Sequence, residues 1–228
     1  MSYLDPSLLS ALFLSIKLAA LTTMILLIVT TPLAWWMTRS HSLGKLLVET
    51  IVSLPLVLPP TVLGFYLLIF LNPTGPLGAF WFSLTGGTLV FNFSGLLVGS
   101  LVYSLPFVIR PILTSFESLD HGLLEAAATL KANPWDRFFT IALPLAKPGF
   151  ISAIVLGFAH TLGEFGVVLM LGGNIPGETS TVSIAIYDTV EQMRYGDAHI
   201  LSGILLVFSF ILLLGLFASQ RKRCRFLW

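Results

Sequence analysis

Three ionisable residues interrupt long apolar runs: Lys17, His160 and Glu164. A charge at mid-bilayer costs roughly 2.5–3.5 kcal/mol on insertion scales, so such side chains turn toward the protein interior, a pore or one another. Glu164 lies about 24 Å along a helix that begins at Pro148, at 1.5 Å per residue. Lys17 follows Leu8, the start of the first apolar run, by nine residues. These depths allow a Lys17–Glu164 ion pair. One reading is a gate or pathway in which Lys17 attracts an anion; the other is a structural pair that holds two helices together. His160 and Glu164 stand at i, i+4 and share a helix face. Two groups are too few to hold a metal, and no metal site is expected.

Pro55, Pro59 and Pro60 each remove a backbone donor from an apolar stretch. A helix so interrupted bends, and its freed carbonyls need partners or water. The bend is either a hinge lining a path or a static kink. Asn174-Ile-Pro-Gly-Glu178-Thr179 is rich in turn formers and hydroxyls, as suits a loop, a gate or a docking surface. Enzyme signatures are missing. There is no GxxxxGK[ST] phosphate loop, no HExxH and no GxSxG. Asp120 and His121 are adjacent, and neighbours on a helix point apart. The chain is expected to be neither an enzyme nor an ATP binder, and to bind no cofactor. Cys224 is the lone cysteine, so no internal disulfide forms.

The elements that carry these residues must live in lipid. Of 228 residues, 56% are hydrophobic and 10% charged, against about 25% charged in soluble domains. Mean hydropathy is +0.93. A secreted, cytosolic or nucleic-acid-binding globular protein is excluded. About 20 apolar residues cross a bilayer, and five stretches qualify: 8–37, 46–71, 88–113, 148–172 and 200–219. No Asp, Glu, Lys or Arg occurs between Thr50 and Ile109; Asn72-Pro-Thr-Gly-Pro76 and Thr85-Gly-Gly87 divide that run into two spans and a turn. Phe80, Trp81 and Phe82 in the turn suit the membrane interface. The first stretch is longer than one crossing and must tilt, protrude or bend near Pro32. Residues 181–194, with Val182, Ile186 and Val190 at i, i+4, i+8, form a short amphipathic helix rather than a sixth crossing. Gly95–Gly99 and Ala153–Gly157 are small-xxx-small faces for close helix packing. The first stretch reads as a span and not as a cleavable signal peptide, since it lacks a positive n-region and a small-residue cleavage site. The expected fold is all-α and polytopic, one transmembrane domain over 1–228.

Ten of the 12 basic residues fall in the first and third loops and the tail, on one face of a five-span chain. Arg194, on the other face, is accompanied by Glu178, Asp188, Glu191 and Asp197. The positive-inside rule places the N-terminus outside and the C-terminus in the cytoplasm.

The third loop, 117–147, is the informative cytoplasmic segment. Residues 122–131 are helix formers, Asn133-Pro134 starts a second helix with Pro at its first position, and Leu143-Pro144 ends it. Trp135, Phe138, Phe139 and Leu143 share one face. Such a helix–turn–helix either rests on its own bundle and lipid headgroups or docks a cytoplasmic partner.

Glu125-Ala126-Ala127, followed some 16 residues later by Leu143-Pro144, resembles the loop of binding-protein-dependent ABC importer permeases. Leu54-Pro-Leu-Val-Leu-Pro-Pro60, Leu162-Gly-Glu-Phe-Gly166, Asn174–Thr179 and Ala185-Ile-Tyr187 are similar to the molybdate permease subunits, with sulfate permeases as close relatives. The resemblance covers nearly the whole chain. It implies a type I ABC importer permease in the inner membrane, working as a homodimer with its path between the two copies. It also implies a dimeric cytoplasmic ATPase, whose groove receives the coupling loop (Glu125, Ala126, Ala127, Lys131, Leu143, Pro144), and an external molybdate-binding protein. Lys17, Pro59, Pro60, His160, Glu164, Glu178 and Thr179 are the pathway or gate candidates. Two positions depart from the family. Lys131 replaces the usual Gly between the loop helices, so the turn is made differently or carries strain. His160 stands where the molybdate relatives tend to carry Arg. Sulfate or tungstate is the alternative cargo. An ion-driven secondary transporter or channel is the alternative class, disfavoured by the small size and the lack of a charged midplane network.

Overall fold

The computed structural model describes residues 6–40 and 42–224. The regular elements among them are helices. They run α1 Pro6–Arg39, α2 Leu43–Val57, α3 Pro60–Leu71, α4 Pro76–Thr85, α5 Phe93–Glu117, α6 His121–Thr129, α7 Pro134–Arg137, a π-helical turn Phe138–Ala142, α8 Leu143–Leu145, α9 Lys147–Leu162, α10 Gly166–Gly172, α11 Val182–Glu191 and α12 Tyr195–Cys224. Three single helices are long and apolar enough to cross a membrane: Leu8–Arg39, Phe93–Glu117 and Tyr195–Ala218. Two bent pairs bring the number to five if each is one crossing. Arg225 of the basic tail lies outside the described residues.

The packed centre is the trio α1, α5 and α9. Leu26, Ala34 and Met37 of α1 meet Val108, Ile109 and Ile112 of α5 and Ala153 of α9 in one buried cluster. Glycine sets how close the helices come. A Cβ built on Gly149 would lie 2.4 Å from Ser115 Cβ, and one on Gly157 would lie 2.5 Å from Val108 Cγ2. Gly99 faces Leu171 in the same way, at 2.4 Å. Both small-residue faces are therefore used inside the chain.

α1 is 34 residues, about 51 Å, against a hydrocarbon layer of about 30 Å. Pro32 lies within it without ending it. Trp35 and Trp36 lie near one end of the helix, as interfacial aromatics do. Lys17 lies about 27 Å back along the helix from Trp35. At the start of the helix, Leu8 and Ala11 pack with Val182 and Ala185 of α11 and Leu201 of α12.

The second expected span, 46–71, is not straight: the chain bends by 117° between α2 and α3. Pro55 is absorbed within α2. Leu58 and Pro59, each preceding a proline, are extended (ψ 135° and 136°) and cannot continue the helix. The expected turn at 72–87 is largely α4, with Pro76 at its start and Phe80, Trp81 and Phe82 exposed. The fourth span, 148–172, also breaks, at Gly163–Phe165 between α9 and α10. Leu143-Pro144 does not end the second helix of the 117–147 loop. Helical backbone runs on through α8 to a 65° bend before α9. The wider π turn precedes Pro144, where an α-helix would bring the proline ring against the carbonyl four residues back. In α11, Val182, Ala185 and Thr189 are buried, Ile186 packs against the same cluster and Val190 is exposed, so the packed face is rotated from the expected one.

Candidate functional site

The two proline- and glycine-broken spans meet. A Cβ on Gly166 would lie 2.7 Å from Pro60 Cβ, and one on Gly64 would lie 2.9 Å from Met170 Cβ. The first turn of α3 and the first turn of α10 thus touch, and the loops before them, Leu58–Pro59 and Gly163–Phe165, lie at this junction. Broken helices at membrane depth occur where the freed backbone is buried in protein or lines a cavity.

A polar ladder runs from this junction along α5 and α9. Ser100 Oγ donates to Glu164 Oε2 at 2.9 Å. Ser104 Oγ is 3.0 Å from His160 Nδ1 and 2.8 Å from Thr161 Oγ1. Thr161 donates back to the Gly157 carbonyl. The i, i+4 spacing of His160 and Glu164 is matched by the i, i+4 spacing of Ser104 and Ser100 on the antiparallel neighbour. Glu164 is buried, and its Oε1 has no hydrogen-bond partner. His160 stacks on Phe107 at 3.7 Å between ring centroids, with Tyr103 at 4.8 Å. Ser100 and Ser104 were missed in the sequence. The available signal was a pair of hydroxyls one turn apart in an apolar span, which is common in helices and carries little information alone.

The Lys17–Glu164 ion pair does not form. Lys17 is exposed and lies over the Phe93 ring, with Nζ 4.6 Å from its centroid. The two residues came into register by depth along the chain, but helix rotation turns Lys17 outward and Glu164 inward. Glu178 and Thr179 also separate. Glu178 is exposed. Thr179 is fully buried and ties its loop together, donating to the Gly172 carbonyl at 2.7 Å and accepting from the Ile175 N–H at 3.0 Å. Nearby, Tyr187 donates to Glu191 at 2.6 Å, which raises the phenol above its ordinary pKa. Among the described residues no cluster of three His, Cys, Asp or Glu is placed to hold a metal.

The loop 117–147 folds as two helices around Lys131. Asp120 caps α6 by accepting from the Gly122 N–H at 2.8 Å, and Asn133 caps α7 by accepting from the Trp135 N–H at 3.3 Å. At the end of α6 the Ala132 N–H bonds the Ala127 carbonyl (3.1 Å) and the Lys131 N–H bonds the Ala128 carbonyl (2.9 Å). This is a Schellman closure, whose left-handed position is usually glycine. Lys131 occupies it at φ +60°. Glu125 and Ala126 are exposed while Ala127 is buried, so α6 presents an outward face. The expected apolar face splits. Phe138 turns in, edge-on to Trp35 at 5.1 Å, while Trp135 and Phe139 stack on each other in the open. Arg110, read in the sequence only for orientation, bonds Glu49 at 2.9 Å and Ser53 at 2.5 Å and so joins α5 to α2.

Residues 30–221 match the family described as "Binding-protein-dependent transport system inner membrane component". The chain belongs to this family. Over 213 residues, spanning 93% of this chain and 94% of the relative, it is 55% identical to the "Molybdenum transport system permease protein ModB" of Azotobacter vinelandii. It is 34% identical over 210 residues to the "Probable sulfate transport system permease protein cysT" of Marchantia polymorpha, spanning 91% of this chain and 72% of that one. A chain of a solved bacterial alginate ABC transporter, in complex with its alginate pentasaccharide-bound periplasmic protein, superposes with a TM-score of 0.77 at 20% identity, over 96% of this chain and 80% of that one. The fold is that of a type I ABC importer permease, and the chain is a multi-pass inner-membrane permease subunit of an ABC transporter.

Proposed function

We propose that this permease carries molybdate. The observation that carries the reading is the 55% identity to the Azotobacter relative over nearly both full lengths, against 34% to the sulfate relative. The chain works as a homodimer with a dimeric cytoplasmic ATPase and an external molybdate-binding protein, with its N-terminus outside and its C-terminus in the cytoplasm. It binds neither ATP nor a cofactor of its own.

The outward face of α6 (Glu125, Ala126) sits in the ATPase groove. The Schellman turn at Lys131 fixes the angle between α6 and α7. The helical path from α7 through the π turn, Leu143 and Pro144, bent by 65° where it joins α9, then transmits ATPase closure. At the far end of α9 lies the junction of Pro59–Pro60 with Gly163–Gly166, where α9 gives way to α10. Movement there opens and closes the path. Ser100 and Ser104 hold Glu164 and His160 against α5, and Glu178 lies on the outer loop.

The test is uptake of labelled molybdate in cells with and without this chain, challenged by excess unlabelled sulfate or tungstate. Loss of high-affinity, sulfate-resistant molybdate uptake on deletion is the expected result. Loss of sulfate uptake in its place would overturn the cargo and keep the architecture.

A further inference from the structure

An apolar groove of about 830 Å³ runs along the outside of the molecule between the last three turns of α1 and the segment 134–143. Trp35, Trp36, Trp135, Phe138 and Phe139 form most of its aromatic wall. We propose that this groove is a binding site for one phospholipid with an anionic headgroup. The inference rests on the membrane placement of the chain and not on its cargo.

The shape of the lining selects the occupant. One end of the groove is Arg39, and the other reaches Leu27 and Ile28. Ile28 lies about 16 Å from Arg39 along the helix, at 1.5 Å per residue. Ile28 and Trp36 are exposed on a membrane-spanning helix. A soluble partner meeting the cytoplasmic loop cannot reach that depth. An occupant that fills the groove needs a charged end at Arg39 and a long apolar end at Ile28, as a bilayer lipid has.

The charged end is built for an anion. Arg39 lies over Trp35, its guanidinium carbon 4.0 Å from the ring centroid. Arg137 lines the adjoining cleft of about 420 Å³ together with Trp35 and Arg39, and its Nε is buried without a hydrogen-bond partner. Glu117 and Glu125 line that cleft too. Glu117 pairs with Lys45 at 3.7 Å, and among the described residues neither carboxylate forms an ion pair with Arg39 or Arg137. Two guanidiniums beside one tryptophan, one with an unmet donor, offer a phosphate the bidentate contacts that arginine makes well. Basic pockets between helix ends on the cytoplasmic side are where anionic lipid headgroups bind.

A lipid here has a consequence for transport. It would tie α1 to the α7–π-turn arm, the part that connects the loop to α9, so headgroup charge would act on the moving element.

The experiment reconstitutes the permease–ATPase complex in nanodiscs of equal phosphatidylglycerol and phosphatidylcholine and measures retained lipid by native mass spectrometry. Wild type is expected to retain phosphatidylglycerol over phosphatidylcholine. Arg39→Gln and Arg137→Gln should each lower that retention about fivefold. Arg39→Lys, which keeps the charge, should lose less, and Arg194→Gln at the opposite end of the molecule should lose nothing. Equal retention of the two lipids in wild type, or unchanged retention in both Gln variants, would overturn the site. So would a photocrosslinker at Ile28 that captures a second copy of the chain or another protein rather than lipid.

Discussion

Replacing Lys131 by glycine should stabilise the cytoplasmic loop. Lys131 is held at φ +60° by two backbone hydrogen bonds, from its own N–H to Ala128 and from the Ala132 N–H to Ala127. An L-residue in the left-handed region loses roughly 1–2 kcal/mol to contact between Cβ and the following carbonyl. Glycine avoids that contact but loses about 0.5–1 kcal/mol more chain entropy on ordering. The difference favours glycine by about 1 kcal/mol, or about fivefold in the opening equilibrium of the turn. Lys131 is exposed, so no buried contact is lost. Hydrogen exchange of the 130–132 amides in the purified complex reads this directly. Lys131→Gly should slow exchange about fivefold and Lys131→Asn should slow it less. Lys131→Val should speed it, because β-branched side chains tolerate positive φ least. Faster exchange in the Gly variant, or unchanged exchange in the Val variant, would refute the strain argument.

Three further outcomes follow from the packing. Gly149→Ala should destabilise the chain by about 1–3 kcal/mol, because its Cβ would lie 2.4 Å from Ser115 Cβ and 2.6 Å from the Pro111 carbonyl oxygen; thermal unfolding in detergent measures it, and an unchanged midpoint would refute the close approach of α5 and α9. Lys17→Ala and Glu164→Ala should have additive effects within about 0.5 kcal/mol, as for residues that share no partner, and a larger coupling in the double-mutant cycle would restore the ion pair. Glu125→Lys reverses a charge on the exposed face of α6 and should leave the chain inserted while abolishing ATP-driven uptake; normal uptake would remove α6 from the ATPase interface.

Much of the fold was legible in the chain because a bilayer imposes a simple rule. Backbone groups in hydrocarbon must bond internally, so long apolar runs become helices, and α1, α5 and α12 appear close to where hydropathy put them. The start of the second loop helix was legible for a local reason: Asn133 satisfies an N–H group two residues on, and Pro134 needs none; the cap at Asp120 was seen only in the fold. Breaks inside apolar runs were only half legible. Proline marked the α2–α3 bend, but no proline marks Leu162-Gly-Glu-Phe-Gly166, and the division of α9 from α10 had to be seen in the fold.

Pairing was not legible. Sequence set the depth of Lys17 and Glu164 along their helices, yet an ion pair also requires the two helices to turn those faces toward each other. Rotation about a helix axis is set by packing, here by Gly149 and Gly157 drawing α9 onto α5. That packing put Glu164 beside Ser100, His160 beside Ser104 and Lys17 over Phe93. The sequence by itself determined the class of protein, its lipid surroundings, the apolar runs and the loop that resembles a coupling element, because these depend on composition and on residues close in the chain. Only the tertiary structure decided which polar groups meet, where the two broken spans touch and which aromatic side chains remain uncovered, because these depend on contacts between residues far apart in the chain, such as Ser100 with Glu164 and Pro60 with Gly166.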